Sequence, residues 1–274
     1  TMDELIATAK AFAEADFDGN GVNDTIGMAV SKTPWDQLFT LKGFFNAFDS
    51  YPEIWVDDGT GKLVYGSTLP GTKDALATLH QMYVDGLLDP EFAVKDDGKV
   101  AEATTSGKCG IMFGAQWNSI YPLQNSKNLE PEGQWQAFPI VTATDHKAKA
   151  QTDVGTTAWT VVRKDCEHPE AVVKMYNLFI DKCWGPNNEN GVYYAPLDSE
   201  SIWKLSPVTP TKPDKNLKAF LDLEAARQSG DFSQVTGEGY SILQSFRRLN
   251  PAPRKASPCG AGSASTVRKA LTAC

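Results

Sequence analysis

In the stretch DFDGNGVND, residues 16–24, oxygen-bearing side chains recur at alternate positions: Asp16, Asp18, Asn20 and, after one gap, Asp24. Ligands at that spacing surround a hard cation as in a calcium loop, which uses side chains at positions 1, 3 and 5, a carbonyl at 7 and often position 9. Here the carbonyl belongs to Val22, and Gly21 stands at position 6, where the sharp turn needs a residue tolerant of positive φ. The bidentate Glu of position 12 is missing, because Gly27 stands there. The chemistry implied is structural Ca2+: the loop itself fills most of the coordination sphere, which leaves little room for catalysis. A sensor needs a partner loop, and none follows in the sequence. A plain Asx/Gly turn capping the preceding helix is the alternative, and the four phased oxygens favour calcium over it.

This loop is fed by a helix, TMDELIATAKAFAEAD, with Thr1 as N-cap and Glu4 completing a capping box. Such an abrupt start suggests a fragment. An apolar run, Ile26 to Val30, follows the loop, then an aromatic-rich region from Trp35 to Trp55. KLVYGS, residues 62–67, alternates like an edge strand after the turn DDGTG. Helices are expected over 70–86 and 99–106, then a compact strand over Cys109 to Phe113 and the loop Gly114-Ala115-Gln116-Trp117-Asn118. Further strands are expected over 135–141 and 155–162. The clearest helix spans Cys166 to Cys183, with Ala171, Val172, Met175, Leu178 and Phe179 on one face, and another covers 217–228. Short strands interleaved with helices indicate an α/β architecture.

The chain has 274 residues, enough for one large domain or two ordinary ones, and its net charge of −8 argues against a nucleic-acid partner. No apolar stretch approaches the roughly 20 residues of a membrane helix. The five cysteines form no CxxC pair, which points to buried or free thiols, with a Cys166–Cys183 bridge left open. His80, His146 and His168 each stand singly, and no GxSxG elbow, recognisable carboxylate pair or metal triad accompanies them. From Arg247 the composition turns basic and low in complexity, with no acidic residue. A disordered tail and an out-of-frame translation both fit that change.

Taken in order, the helix feeding DxDGNGxxDTxG, KLVYGS, MYVDGLLDPEFA (82–93), SGKCGIMFGAQW (106–117) and HPEAVVKMYNLFID (168–181) resemble a known family. The chain is similar to the extracellular solute-binding proteins of carbohydrate ABC transporters, in the branch of Gram-positive surface lipoproteins and alginate-binding proteins. The likeness runs from Thr1 to about Arg227. It implies a type II periplasmic-binding fold of two α/β lobes joined by hinge strands, incomplete here at both ends. Residues 1–153 would be the bulk of the C-terminal lobe with its calcium loop. Residues 154–246 would hold the hinge and the return into the N-terminal lobe, and 247–274 a tail without functional meaning.

The implied function is non-catalytic capture of an oligosaccharide between the lobes and its delivery to membrane permease subunits. The expected protein is a monomer at the cell surface of a Gram-positive bacterium, or periplasmic, reaching the membrane only through a lipid anchor absent from this chain. A secreted calcium-binding carbohydrate-active enzyme or glycan-binding module is the alternative. Sugars offer C–H faces to aromatic rings and hydroxyls to amides and carboxylates. In relatives the loop after the 109–113 strand enters the cleft. Trp117 is therefore the expected stacking platform, with Gln116 and Asn118 beside it, against the alternative of a core aromatic. Trp35 and Asp36, with Gln37, follow the first strand and are expected on the same face. Trp159 stands as either a ligand contact or a sheet-core residue.

Overall fold

Thr1 opens the molecule with the expected capping box: its Oγ1 accepts from the Glu4 N–H at 3.3 Å, and the Glu4 carboxylate reaches back to the N-terminal ammonium at 2.8 Å. A cap of this kind stabilises a helix by about 1 kcal/mol. The structure is a computed structural model that describes residues 1–16, 21–22, 24–152, 155–156, 158–186, 188–194, 196 and 201–249. The chain divides near residue 154 into two units.

The first unit runs α1 (Met2–Ala13), β1 (Ile26–Ala29), α2 (Lys42–Asn46), β2 (Trp55–Asp57), β3 (Leu63–Tyr65), α3 (Gly71–Val84), α4 (Asp97–Thr105), β4 (Cys109–Met112) and α5 (Leu123–Leu129). β1 and β4 pair in parallel, with Ile26 opposite Cys109 and Ala29 opposite Met112. Helix α1 lies directly on this pair, and two glycines permit the approach. A Cβ on Gly27 would stand 2.6 Å from the Ala9 carbonyl oxygen, and one on Gly110 2.1 Å from the Phe12 ring. On the other edge of β1 the Met28 N–H donates to the Leu87 carbonyl at 2.9 Å. The core between these elements holds Met28, Val30, Leu41, Phe44, Phe45, Ala75, Met82, Leu87 and Leu88. Each large member contributes about 1.5–3 kcal/mol by leaving water.

β2 and β3 form a hairpin in which Trp55 faces Tyr65. The Asp57 Oδ1 accepts from the N–H groups of Gly59 and Gly61 at 2.7 and 3.0 Å, and both glycines take φ near +90°. The DDGTG turn thus does what its composition requires.

The 135–141 segment, expected as a strand, is irregular. A strand exists through its hydrogen-bonded ladder, and this segment makes none. The chain just beyond it is fixed by the Met2 N–H donating to Thr142 and the Ala143 N–H donating to Ala47. A paired amide then fastens the exit from the unit. The fully buried Asn46 donates through Nδ2 to Ser50 O and Gln151 Oε1 at 3.0 and 2.9 Å. The Gln151 N–H returns a bond to Asn46 Oδ1 at 3.0 Å, and its side chain donates to Pro52 O at 2.8 Å.

The second unit contains α6 (Glu170–Trp184), α7 (Asn190–Tyr193), α8 (Leu217–Ser229) and α9 (Gly237–Leu249). Phe179 and Cys183, one turn apart on α6, pack with Tyr194 and Val208. Leu178, expected on that face, is 62 % exposed. The Lys215 ammonium donates to the Tyr194 hydroxyl at 2.6 Å and lies over the Trp184 ring. A second cluster joins Leu223 and Ala226 of α8 to Val235 and Leu243. One expectation is corrected here. The described residues between 155 and 162 form no strand, again for want of a ladder. Helix α9 runs on through Arg247 to Leu249, and 250–274 lie outside the described residues. Cys166 is an exposed free thiol, so no bridge joins it to the buried Cys183, the pairing that the sequence left open. Burial also pushes the Cys109 thiol up to about 11, which makes it an inert core residue.

Candidate functional site

Parallel strands end on the same edge, so the loops that follow β1 and β4 are delivered side by side. That edge is where open α/β sheets place their ligands. The 30–41 and 113–118 loops are stitched together by backbone bonds: Thr40 N–H to Phe113 O at 3.2 Å, and Ala115 N–H to Gln37 O at 3.0 Å. Within the first loop the Leu41 N–H and the Thr40 hydroxyl both donate to Pro34 O, at 2.7 and 3.1 Å. Phe39 is fully buried and takes φ +53°. A non-glycine residue in that region costs about 1–3 kcal/mol, and the burial of its ring holds it there.

Five of the expected side chains sit on these two loops. Trp117 lies in the turn Gln116–Ser119, half-buried against the cluster of Ala29, Leu38, Phe39, Val100, Ala101 and Cys109. Its indole N–H donates to Gln37 Oε1 at 2.8 Å. Trp35 is half-buried and meets the Phe45 ring edge-on at 5.1 Å. Asp36 and Gln116 are exposed. Asn118 is only 4 % exposed, so it forms the underside of the loop rather than its face. Its Oδ1 lies 1.7 Å from where a Gly114 Cβ would stand, so any larger residue there would have to displace the Asn118 side chain. Trp159 belongs to the second unit, in irregular chain, and is 79 % exposed. It is therefore not a sheet-core residue in this structure.

The arrangement offers two aromatic side chains, a carboxylate and two primary amides on adjoining loops. Such a set of groups can adsorb a polar ligand with apolar faces. The Gln37–Trp117 bond joins residues 80 positions apart. Local pattern carries no sign of it beyond the placement of both after strands.

Of the proposed calcium ligands, Asp18 and Asn20 lie outside the described residues. Asp16 Oδ2 accepts from the Gly21 N–H at 2.8 Å, and Gly21 takes φ +81°. The Asp24 N–H donates to the Val22 carbonyl at 3.0 Å, and the Asp24 carboxylate pairs with the Lys108 ammonium. The Asp16 carboxylate thus closes the turn at Gly21, and the Asp24 carboxylate is engaged by Lys108.

Comparison with known proteins bears on what such a site serves. The chain is 36 % identical over 119 residues to lipoprotein LipO of Bacillus subtilis, covering 41 % of this chain and 22 % of that protein. It is 32 % identical over 123 residues to the polygalacturonan/rhamnogalacturonan-binding protein YtcQ of Bacillus subtilis, covering 44 % and 23 %. The chain thus spans less than a quarter of the length of either relative. A solved HMO-binding, ABC-transporter-associated solute-binding protein of Bifidobacterium longum infantis is 19 % identical at a TM-score of 0.46, covering 68 % of this chain and 40 % of that one. The profile of the bacterial extracellular solute-binding protein family matches residues 1–182, which include both site loops and most of helix α6. With 182 of its 274 residues inside that match, the chain is a member of the bacterial extracellular solute-binding protein family and carries its α/β fold.

Proposed function

We propose that this chain contributes one face of an oligosaccharide-binding cleft in the substrate-binding component of an ABC transporter. The observation that carries the reading is the joining of Trp35, Asp36, Gln37, Gln116 and Trp117 on two stitched loops at the C-terminal edge of a parallel strand pair. Aromatic faces next to amides and a carboxylate suit a pyranose, whose C–H surface stacks while its hydroxyls take hydrogen bonds. The polygalacturonan/rhamnogalacturonan-binding name of the Bacillus relative supports a polysaccharide-derived ligand. On this reading residues 1–153 belong to the C-terminal lobe and residues from 154 lead through a hinge into the N-terminal lobe, where Trp159 is an exposed aromatic. Ligand favours the closed lobes to the extent that it binds them better than the open ones. The closed protein then presents its surface to membrane permease subunits.

The same reading makes the protein a monomeric, non-catalytic receptor outside the cell, held at a Gram-positive surface by a lipid anchor. Family membership and the lipoprotein relative support the location. The loop from Asp16 to Asp24 would hold a structural Ca2+ that stiffens one lobe.

Calorimetric titration of the chain with trigalacturonate and with neutral trisaccharides tests the function. Saturable heat with at least one sugar, and recovery of that sugar unchanged, is the expected result. Hydrolysed or eliminated product would place the protein among carbohydrate-active enzymes, and no heat with any sugar would remove the reading.

A further inference from the structure

We infer that Gln37 is the positioning residue of the Trp117 platform and presents its own two amide N–H groups to the bound ligand. The inference rests on the sugar-binding reading for its second half only; the first half concerns the unliganded protein.

Gln37 grips the 115–117 turn twice. Its main-chain carbonyl accepts from the Ala115 N–H at 3.0 Å, and its side-chain Oε1 accepts from the Trp117 indole N–H at 2.8 Å. These two bonds, to residues two apart, leave the turn little freedom to rotate about either. The mount is itself rigid: Leu38 and Phe39, which follow Gln37, are buried at 6 % and 0 % exposure, and Phe39 is held at φ +53°. A ring carried on a short turn Gln116–Ser119 would otherwise sample several χ1 and χ2 settings. Ordering it in advance lowers the entropy that binding must overcome.

The chemistry also decides which way the amide faces. Indole nitrogen only donates, so the Gln37 oxygen must face it, and the amino end of the amide must face away. Gln37 is exposed, and its Nε2 forms no hydrogen bond to another described residue. Two donors therefore lie beside the indole, where an acceptor on a stacked ligand, a hydroxyl or a carboxylate oxygen, can take them. One side chain sets the angle of the platform and recognises what lies on it.

Two variants separate these roles. Gln37→Met keeps the length and loses both acceptor and donors, whereas Gln37→Glu keeps an acceptor and loses the donors. The readout in unliganded protein is the indole N–H resonance of Trp117 in a 1H–15N spectrum, assigned by its disappearance in Trp117→Phe. Gln37→Met should shift that resonance and speed its exchange with solvent, while Gln37→Glu leaves it protected. An unshifted, protected resonance in Gln37→Met overturns the inference whether or not any sugar binds. With a sugar that binds the parent, Gln37→Met should weaken affinity about tenfold or more and Gln37→Glu about three- to tenfold. Parent affinity in both variants overturns the recognition half. Failure of every sugar to bind the parent removes the function proposed above, and the resonance still decides the mount.

Discussion

Trp117 packs in part on the core and is the proposed platform, and the two roles have different experimental signatures. One side of the ring packs on Phe39, Val100 and their neighbours, so Trp117→Ala should cost the fold about 1–2 kcal/mol, part of what full burial of a large side chain contributes. From the sequence alone the tryptophan stood as either platform or core residue, and the structure packs it, half-buried, against the core cluster. Asn118 was legible as an amide near the site, but its burial under Gly114 was not, because that depends on how the turn closes. The Trp117–Gln37 bond was equally hidden: it spans 80 residues and follows from strand pairing that local pattern does not encode. What could be read was the residue types that follow each strand.

Elements with their own caps and turns were legible, since every determinant lies within a few residues. Helix α1 with its Thr1–Glu4 box and the β2–β3 hairpin with its Gly59 and Gly61 are examples. The segments 135–141 and 155–162 have strand-like composition and no ladder, because pairing partners are a property of the tertiary structure. In place of a ladder, side chains fasten the 142–152 segment. Asn46→Ala would leave the Gln151 amide and the Ser50 carbonyl without their bonds in a buried site. The expected loss is about 2–4 kcal/mol in denaturant unfolding, with loss of under 1 kcal/mol counting against the clamp.

His146 adds a titratable fastener to the same segment. Its ring lies 3.0 Å from Asp145 Oδ1 and 3.1 Å from Asp49 Oδ1, and Asp49 also accepts from the Tyr51 hydroxyl at 3.4 Å. The hydrogen bond to Asp145, then that to Asp49, raises the imidazole above its ordinary range. A raised folded value means that the stabilisation is fully present below the unfolded pKa of about 6.5 and is lost as pH rises through the folded one. Thermal melts of the parent and His146→Ala should therefore differ most below about pH 6.5 and converge in alkaline buffer. A difference that is constant or grows with pH would contradict the pairing.

For the molecule as a whole, family membership was legible from the order of motifs, several of which fall inside the match over residues 1–182. The calcium proposal also belongs to this scale, because an ion bound only by the folded chain stabilises all of it. Ca2+ at about 100 times its Kd should add about 2.7 kcal/mol, seen as a rise in Tm that Asp16→Asn or Asp18→Ala abolishes. Lys108→Met should strengthen that response by freeing Asp24 from its ion pair. A Tm indifferent to Ca2+ would return the loop to a plain turn.

The most direct test of the central claim is calorimetric titration of the parent and Trp117→Ala side by side with trigalacturonate and neutral trisaccharides. The expected result is saturable binding to the parent, recovery of intact sugar, and affinity at least tenfold weaker in the variant, beyond its modest loss of stability. Equal affinity in a folded Trp117→Ala, or sugar chemically altered by the parent, would contradict it.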